Sequence, residues 1–177
     1  IGHSYGAWTT TKEATLSSKA EHKRICSTCG KEEITTYGEK LRPTISTNAT
    51  SLKLKKKQTT KKFTVTGLAK SDYITSWTSS NKKIVTVTGN QNGTCKIKAG
   101  NKTGKAKITI TLASGLKKTI NVTIQKKAVT CTAIKNVSKK LTLNKKKSYQ
   151  LKPVINPITC TNKIKYKSSN KKIAKVS

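Results

Sequence analysis

Acidic residues are nearly missing from this 177-residue chain, with six Asp and Glu against 38 Lys and Arg and a formal net charge of +32. Five of the six acids lie within the first 40 residues, so the rest of the chain keeps only Asp72. General acid–base catalysis needs titratable groups held close together, and a calcium site needs several carboxylate oxygens. The sequence also lacks Walker, G-x-S-x-G and H-E-x-x-H patterns. We therefore expect no enzymatic activity.

Methionine and long apolar runs are also missing. No stretch approaches the roughly 18 apolar residues that cross a bilayer, so the sequence predicts no membrane span. No signal peptide is evident at the first residue, Ile1. We expect the chain to be a processed or excised piece of a longer protein.

Arginine is scarce as well, since Arg24 and Arg42 are the only two, and aromatic residues make up 5% of the chain. The planar fork of Arg reads phosphates and base edges better than the hydrated point charge of Lys. We therefore predict no specific nucleic-acid binding. The lysine excess instead predicts salt-sensitive adhesion to polyanions, such as anionic glycans or cell-wall polymers. Compositional bias with no partner is the open alternative.

Low hydrophobicity (33%) with high net charge is typical of disorder, but the apolar residues present are patterned. Lys105–Leu112 and Lys117–Gln125 alternate apolar residues with Lys, Thr or Asn. This period of two indicates antiparallel strands with one dry face and one wet face. Most of the charge is therefore predicted to lie on solvated faces.

A β-rich unit is repeated in tandem at an offset of 89 residues. Trp77–Ile84 matches Tyr166–Ile173, with S-S-N-K-K-I in common, and Ser51–Lys57 matches Lys140–Lys146 in the same register. Each unit contains short strands separated by turn signals, which favours an immunoglobulin-like sandwich. The predicted core consists of Leu52, Leu54, Phe63, Val65, Trp77, Ile84, Val87, Ile97, Ala106, Ile108, Ile110, Ile120 and Val122. Trp77 is expected between the sheets, with an exposed ligand platform as the alternative.

These motifs resemble the bacterial immunoglobulin-like group 2 family of intimin- and invasin-type adhesins and Gram-positive surface proteins. The resemblance rests on Leu52–Leu54, Phe63–Val65, Trp77–Val87 and Gly104–Ile110. It implies a structural spacer or adhesive repeat of a secreted or wall-attached bacterial protein, with neighbouring domains as partners. A binding module for anionic glycans or a host surface is one alternative, and a strand-exchanging filament subunit is another.

The predicted fold is all-β, with tandem immunoglobulin-like sandwiches after a small N-terminal hairpin module. We expect the module at 1–43, a complete sandwich at 44–126 and an incomplete one at 127–177. Ser177 aligns with Thr88, so the second copy stops half way. Half a sandwich leaves strand edges unpaired, which requires missing strands or a strand-donating partner chain.

Five cysteines suit an oxidising compartment. In an immunoglobulin topology, the start of the first strand and the loop after the second lie at one end of the sandwich. A Cys131–Cys160 disulfide is therefore predicted, which stabilises by about 3 kcal/mol in the chain-entropy model. Two buried thiols are the alternative. Cys95 is left over as a free or interchain thiol.

Residues 1–40 resemble a short cysteine-bearing module found beside such repeats in gut Firmicutes, which usually has a further Cys near Leu16. Cys26-x-x-Cys29 is half of a zinc knuckle, and His3 and His22 could complete four ligands. A local disulfide and free thiols are the alternatives. We predict no cofactor, and zinc at Cys26 and Cys29 stays open.

Overall fold

The computed structural model describes residues 2–176, and the regular secondary structure of this part is entirely β-strand, so the all-β prediction is confirmed. The strands are β1 (Thr9–Lys12), β2 (Ala20–Ile25), β3 (Glu32–Tyr37), β4 (Ser46–Thr47), β5 (Ser51–Lys55), β6 (Thr59–Thr60), β7 (Val65–Thr66), β8 (Ile74–Ser79), β9 (Val85–Gly89), β10 (Cys95–Ala99), β11 (Gly104–Leu112), β12 (Lys117–Gln125), β13 (Ala133–Lys135) and β14 (Val154–Asn156). Strands β1, β2 and β3 form one antiparallel sheet with β2 in the middle.

Two sheets face each other in the central part of the chain. One has the order β5-β12-β11-β8 and the other β6-β10-β9, while β4 and β7 pair separately. Strands β11 and β12 are antiparallel along their length, in agreement with the alternation in their sequences. Strand β5 instead joins β12 in parallel, with Ser51 opposite Asn121 and Lys55 opposite Gln125. The first and last long strands of the sandwich are therefore neighbours.

The core lies between these sheets because, along β5, β10 and most of β11, every second residue is apolar and points inward. All but two of the residues predicted for the core are buried. The exceptions are Trp77 and Val87, which are only partly buried although they pack against the core. Each sits on an edge strand, β8 or β9, where the facing sheet no longer covers the side chain completely.

Trp77 seals that edge of the sandwich. Its indole meets the Phe63 ring edge to face, with centroids 6.4 Å apart, and its Nε1 donates to the Asn90 carbonyl at 3.3 Å. The indole also lies over Gly89, where a Cβ atom would fall well inside van der Waals contact with three ring atoms. Glycine is therefore required at this end of β9 if the indole is to keep its place.

The second copy has little regular structure within the described residues. Its only strands there are β13 and β14, which pair antiparallel. Leu141, Leu143 and Tyr166 are 47%, 46% and 48% exposed, whereas the matching Leu52 and Leu54 of the first copy are buried. Ser177 lies outside the described residues. That strands from elsewhere complete this copy stays a prediction.

The Ser-Ser-Asn-Lys-Lys turn nevertheless has the same hydrogen bonds in both copies. In the first copy the Ser79 hydroxyl donates to the Val85 carbonyl at 2.7 Å, and the Lys83 backbone N–H donates to the Asn81 side chain at 3.0 Å. The second copy makes both bonds 89 residues later, from Ser168 to Ala174 at 2.6 Å and from Lys172 to Asn170 at 2.9 Å. These contacts are local, so the turn does not need the rest of the sandwich.

The lysine-rich turn is repeated in the same way. Lys57 and Lys146, again 89 residues apart, have φ angles of 64° and 65°. Each turn is closed by a backbone hydrogen bond of 3.0 Å. Two separate turns of the second copy therefore adopt the first copy's geometry.

A disulfide joins Cys131 to Cys160, whose Cα atoms are 5.4 Å apart. It encloses β13 and β14 and brings the segment after β14 next to the exit from β12. That segment also contacts the sandwich. The Gln58 side-chain amide donates to the Thr159 carbonyl at 2.7 Å, and Ile158 packs against the core. The start of the second copy is therefore attached to the first at a defined place.

We expect Gly89→Ala to destabilise the sandwich by about 1–3 kcal/mol, because its new methyl group must displace the Trp77 indole. Equilibrium unfolding in urea, followed by circular dichroism, measures this loss. Gly6→Ala is the matched control, since the nearest atom to a Cβ there is an ordinary 3.7 Å away. Equal stability of the two variants would show that Trp77 does not depend on the missing Cβ.

Candidate functional site

The tight turn between β2 and β3 holds both cysteines of the Cys-x-x-Cys motif. The Cys26 backbone N–H donates to the Lys31 carbonyl at 2.9 Å, and the Gly30 N–H returns to the Cys26 carbonyl at 2.9 Å. Gly30 has a φ of 69°, a left-handed conformation that glycine adopts without strain. The Cys-x-x-Cys-Gly sequence thus folds into a knuckle at the tip of a hairpin.

The N-terminal segment runs alongside this knuckle and carries His3 to it. The Ser27 N–H donates to the Ser4 carbonyl at 2.8 Å, and the Gly6 N–H donates to the Ile25 carbonyl at 3.1 Å. These two bonds fix the segment in register with the end of β2. The sequence does not predict this pairing, because residues 3–6 show no strand pattern.

His3, Cys26 and Cys29 form one cluster, which we call the His-Cys-Cys cluster. The His3 Nδ1 and the Cys29 Sγ are 3.2 Å apart, and the ligating atoms of all three residues lie within 4.8 Å of one another. Cys26 is buried at 1% exposure, whereas His3 and Cys29 are open to solvent. Both cysteines are free thiols.

The environment of the cluster favours a thiolate at Cys26. Burial raises the pKa of this thiol, but hydrogen bonds from the backbone of Cys29 and Thr28 and from the side chains of His3 and Cys29 outweigh burial and lower the pKa to about 6. A large part of the Cys26 population is therefore deprotonated at neutral pH. A buried thiolate beside an imidazole and a second thiol can bind a soft or borderline metal ion.

Arg24 clamps the N-terminal segment onto the sheet. Its guanidinium lies 4.4 Å from the Tyr5 ring centroid and 4.6 Å from that of Trp8, and its Nη2 is 2.6 Å from a Glu33 carboxylate oxygen. Such cation–π contacts fix both aromatic rings against β2. Arg24 therefore positions the segment that carries His3.

His22, the fourth candidate metal ligand, does not lie in the cluster. Its ring lies 5.0 Å from Tyr37 and its Nε2 is 3.4 Å from the Thr10 hydroxyl. His22 lies four positions before Cys26, a distance of roughly 13 Å along an extended chain. The described residues place three, not four, potential protein ligands together.

Cys95 is a buried thiol within the sandwich. It is 6% exposed and its Sγ donates to the Phe63 carbonyl at 3.6 Å. Burial raises the pKa of Cys95 to about 11, so the thiol stays protonated at neutral pH. It therefore behaves as a small core residue.

Asp72, the one acid of the sandwich, fastens two turns together. Its carboxylate accepts hydrogen bonds from the Ser114 hydroxyl at 2.7 Å and from the Ser114 and Tyr73 backbone N–H groups at 3.2 and 3.0 Å. Ser114 lies between β11 and β12, and Tyr73 precedes β8. The role of Asp72 is therefore structural: its hydrogen bonds hold these two turns together.

The lysines of the sandwich line its outer surface. Five project from the four-stranded sheet, and we call this surface the lysine face: Lys53, Lys55, Lys105, Lys107 and Lys117. Residues 44–177 contain 31 Lys and a single acid. Every salt bridge found between residues 2 and 176 instead lies in the N-terminal module. The lysine face therefore offers positive charge with no internal counter-ion.

Between residues 2 and 176, no helix is long and apolar enough to cross a membrane.

Comparisons with known proteins identify one matching family model and three similar solved chains, two of which are S-layer structures. The family model of the bacterial Ig-like domain (group 2) matches residues 43–123. No curated protein matches the chain. A crystal structure of the S-layer protein rSbsC(31-844) is 19% identical with a TM-score of 0.43, and domains 4–9 of the surface layer protein SbsC are 20% identical with a TM-score of 0.44. They cover 66% and 68% of this chain, which spans 17% and 20% of their lengths.

The family match coincides with the part of the chain that folds as two facing sheets. Its limits, 43 and 123, include every strand of the sandwich from β4 to most of β12. The segments on which the resemblance rests, Leu52–Leu54, Phe63–Val65, Trp77–Val87 and Gly104–Ile110, all lie inside these limits. Residues 43–123 of this chain therefore form a domain that matches the bacterial Ig-like domain (group 2) family.

Proposed function

We propose that the chain is a load-bearing spacer of a secreted or cell-surface bacterial protein, which holds neighbouring domains apart. The observation that supports this proposal most directly is the parallel pairing of β5 with β12. In a parallel pair, the start of one strand and the end of the other lie at opposite ends. The chain thus enters the sandwich at one end and leaves it at the other, as a spacer requires.

The same pairing suits a protein under tension. Tension between the start of β5 and the end of β12 acts along both strands, so their hydrogen bonds are loaded together in shear. Five consecutive residue pairs, from Ser51–Asn121 to Lys55–Gln125, share that load. If the ends lay on one side, the bonds would instead open one at a time.

The connection to the second copy supports the same function. The Cys131–Cys160 disulfide and the Gln58–Thr159 hydrogen bond hold the segment after β14 against the first sandwich. These contacts restrict how the second repeat is oriented relative to the first, whereas a flexible linker would leave that orientation free. The disulfide also favours an oxidising location outside the cytoplasm.

A non-catalytic function is part of this proposal. Residues 44–177 contain no His and one acid, and that acid braces two turns. A catalytic acid–base pair would have to come from the N-terminal module or from another chain. The family assignment and the sandwich geometry both fit a structural repeat.

Pulling on single molecules tests the load-bearing property. With handles attached at Thr50 and Lys126, we expect one unfolding event that releases about 25 nm of chain. The control uses the same protein with handles at Thr50 and Lys117, which lie at the same end of the β5–β12 pair. This second geometry peels the strands apart and should unfold at a markedly lower force. Equal forces in the two geometries would contradict the proposal.

A second candidate function is adhesion to an anionic glycan or wall polymer. The lysine face supports it, because these ammonium groups have no carboxylate partners within the described sandwich. Charge of one sign on a flat sheet attracts polyanions from a distance and is screened by salt.

Heparin and teichoic-acid columns at about 150 mM salt separate specific adhesion from bulk charge. If the lysine face is a binding site, Lys105→Glu/Lys107→Glu should elute much earlier than the matched Lys139→Glu/Lys140→Glu, because only the first pair lies on that face. Both variants change the net charge equally. The same shift in both would leave only non-specific attraction.

A further inference from the structure

The N-terminal module has almost no hydrophobic core. Of the described residues up to 43, only Cys26 is buried. The large apolar side chains of this part stay open, with Trp8, Ile25, Ile34 and Tyr37 between 39% and 67% exposed. Domains of about this size rarely fold on apolar burial alone and are usually cross-linked by disulfides or metals.

The polar contacts of the module do not replace a core. Its four salt bridges, such as Lys12–Glu21 at 3.0 Å and Lys23–Glu32 at 2.7 Å, join side chains that are largely in water. Pairs of this kind add little to stability. The Arg24 stack fixes one segment but covers only two rings. A three-stranded sheet of this size therefore needs another source of stability.

The single buried side chain belongs to the His-Cys-Cys cluster. In a tetrahedral zinc site, Zn–S bonds of about 2.3 Å and Zn–N bonds of about 2.0 Å place the ligating atoms about 3.5–3.8 Å apart. The cluster has a His3–Cys29 distance of 3.2 Å and a maximum separation of 4.8 Å. Small side-chain rotations reach the tetrahedral values.

The cluster also connects the parts of the module that most need a link. Cys26 and Cys29 both lie in the turn between β2 and β3. His3 belongs to the segment that otherwise has only backbone bonds and the Arg24 stack. Backbone N–H groups surround Cys26, as is usual around metal-bound thiolates. An ion at this point would join the knuckle of the β2–β3 hairpin to the N-terminal segment.

We propose that His3, Cys26 and Cys29 bind one Zn²⁺ ion, which takes the place of a hydrophobic core in the N-terminal module. The imidazole of His3 and the two thiolates supply three ligands, and any proton still on either thiol is released to solvent on binding. The fourth position is open to water or to a donor from another molecule. The site is structural, with an exposed side at Cys29.

The charge distribution makes nonspecific zinc uptake unfavourable. Residues 1–43 contain seven basic and five acidic residues, and the rest of the chain is strongly cationic. A chain with a net charge of +32 repels a divalent cation at long range. Zinc that remains bound therefore reflects specific ligation.

Metal content of the full-length chain tests the proposal. Protein produced in zinc-supplemented medium and purified without chelators should contain one zinc per chain by plasma emission. Cys29→Ser and His3→Gln should each weaken zinc affinity at least tenfold in a chelator competition. His22→Gln is the matched control and should keep the full affinity, because His22 lies outside the cluster. Equal losses at His3 and His22 would overturn the site.

Two further measurements keep the test independent of whether a variant folds. Co²⁺ added to the metal-free wild-type chain should give a thiolate-to-cobalt charge-transfer band and the visible bands of a tetrahedral site. Zinc should also slow amide exchange in β1–β3 but not in β8–β12. A chain that contains no zinc, or whose mass shows a Cys26–Cys29 disulfide with unchanged exchange when zinc is added, would overturn the proposal.

Discussion

The contact between two facing rows of apolar side chains is the interaction on which the rest of this molecule depends. Seventeen buried residues form that contact, with Phe63, Ile97 and Ile108 fully covered. Each buried Ile or Leu contributes about 1.5–3 kcal/mol. This contribution has to exceed the mutual repulsion of the lysines on the outer faces. Strict alternation along β11 and β12 is what separates the two kinds of residue.

The three regions of the chain meet the same requirement in different ways. The sandwich has enough residues to bury an apolar core. The N-terminal module is too small for one, and its single buried residue is a potential metal ligand, Cys26. The start of the second copy is held by the Cys131–Cys160 disulfide and by contacts with the sandwich. The disulfide and the proposed metal site thus lie where apolar burial is scarce.

The sequence predicted the features that depend on local patterns. The alternation of β11 and β12, their antiparallel pairing and most of the core follow from a period of two. The Ser-Ser-Asn-Lys-Lys turn repeats in both copies because its hydrogen bonds lie within seven residues. Features of this kind need no knowledge of the rest of the chain.

Other features depend on which segments meet and could not be predicted. Alternation is the same in parallel and antiparallel strands, so it does not reveal that β5 pairs in parallel with β12. It also does not reveal which strands lie at an edge, which is why Trp77 and Val87 were expected to be fully buried. His3 reaches the cysteines through backbone pairing of a segment without a strand pattern. His22 is excluded because it lies within β2, four positions before Cys26.

One sandwich core, between residues 51 and 125, carries the stability of the chain, while the second copy keeps only the β13–β14 pair with its disulfide and local turns. Hydrogen exchange followed by mass spectrometry tests this claim most directly. We predict that amides of β5 and β8–β12 exchange only through global unfolding, whereas those of residues 137–150 and 161–176 exchange close to the rate of an unstructured chain. Slow exchange in the second copy, comparable with that of β11 and β12, would contradict the account.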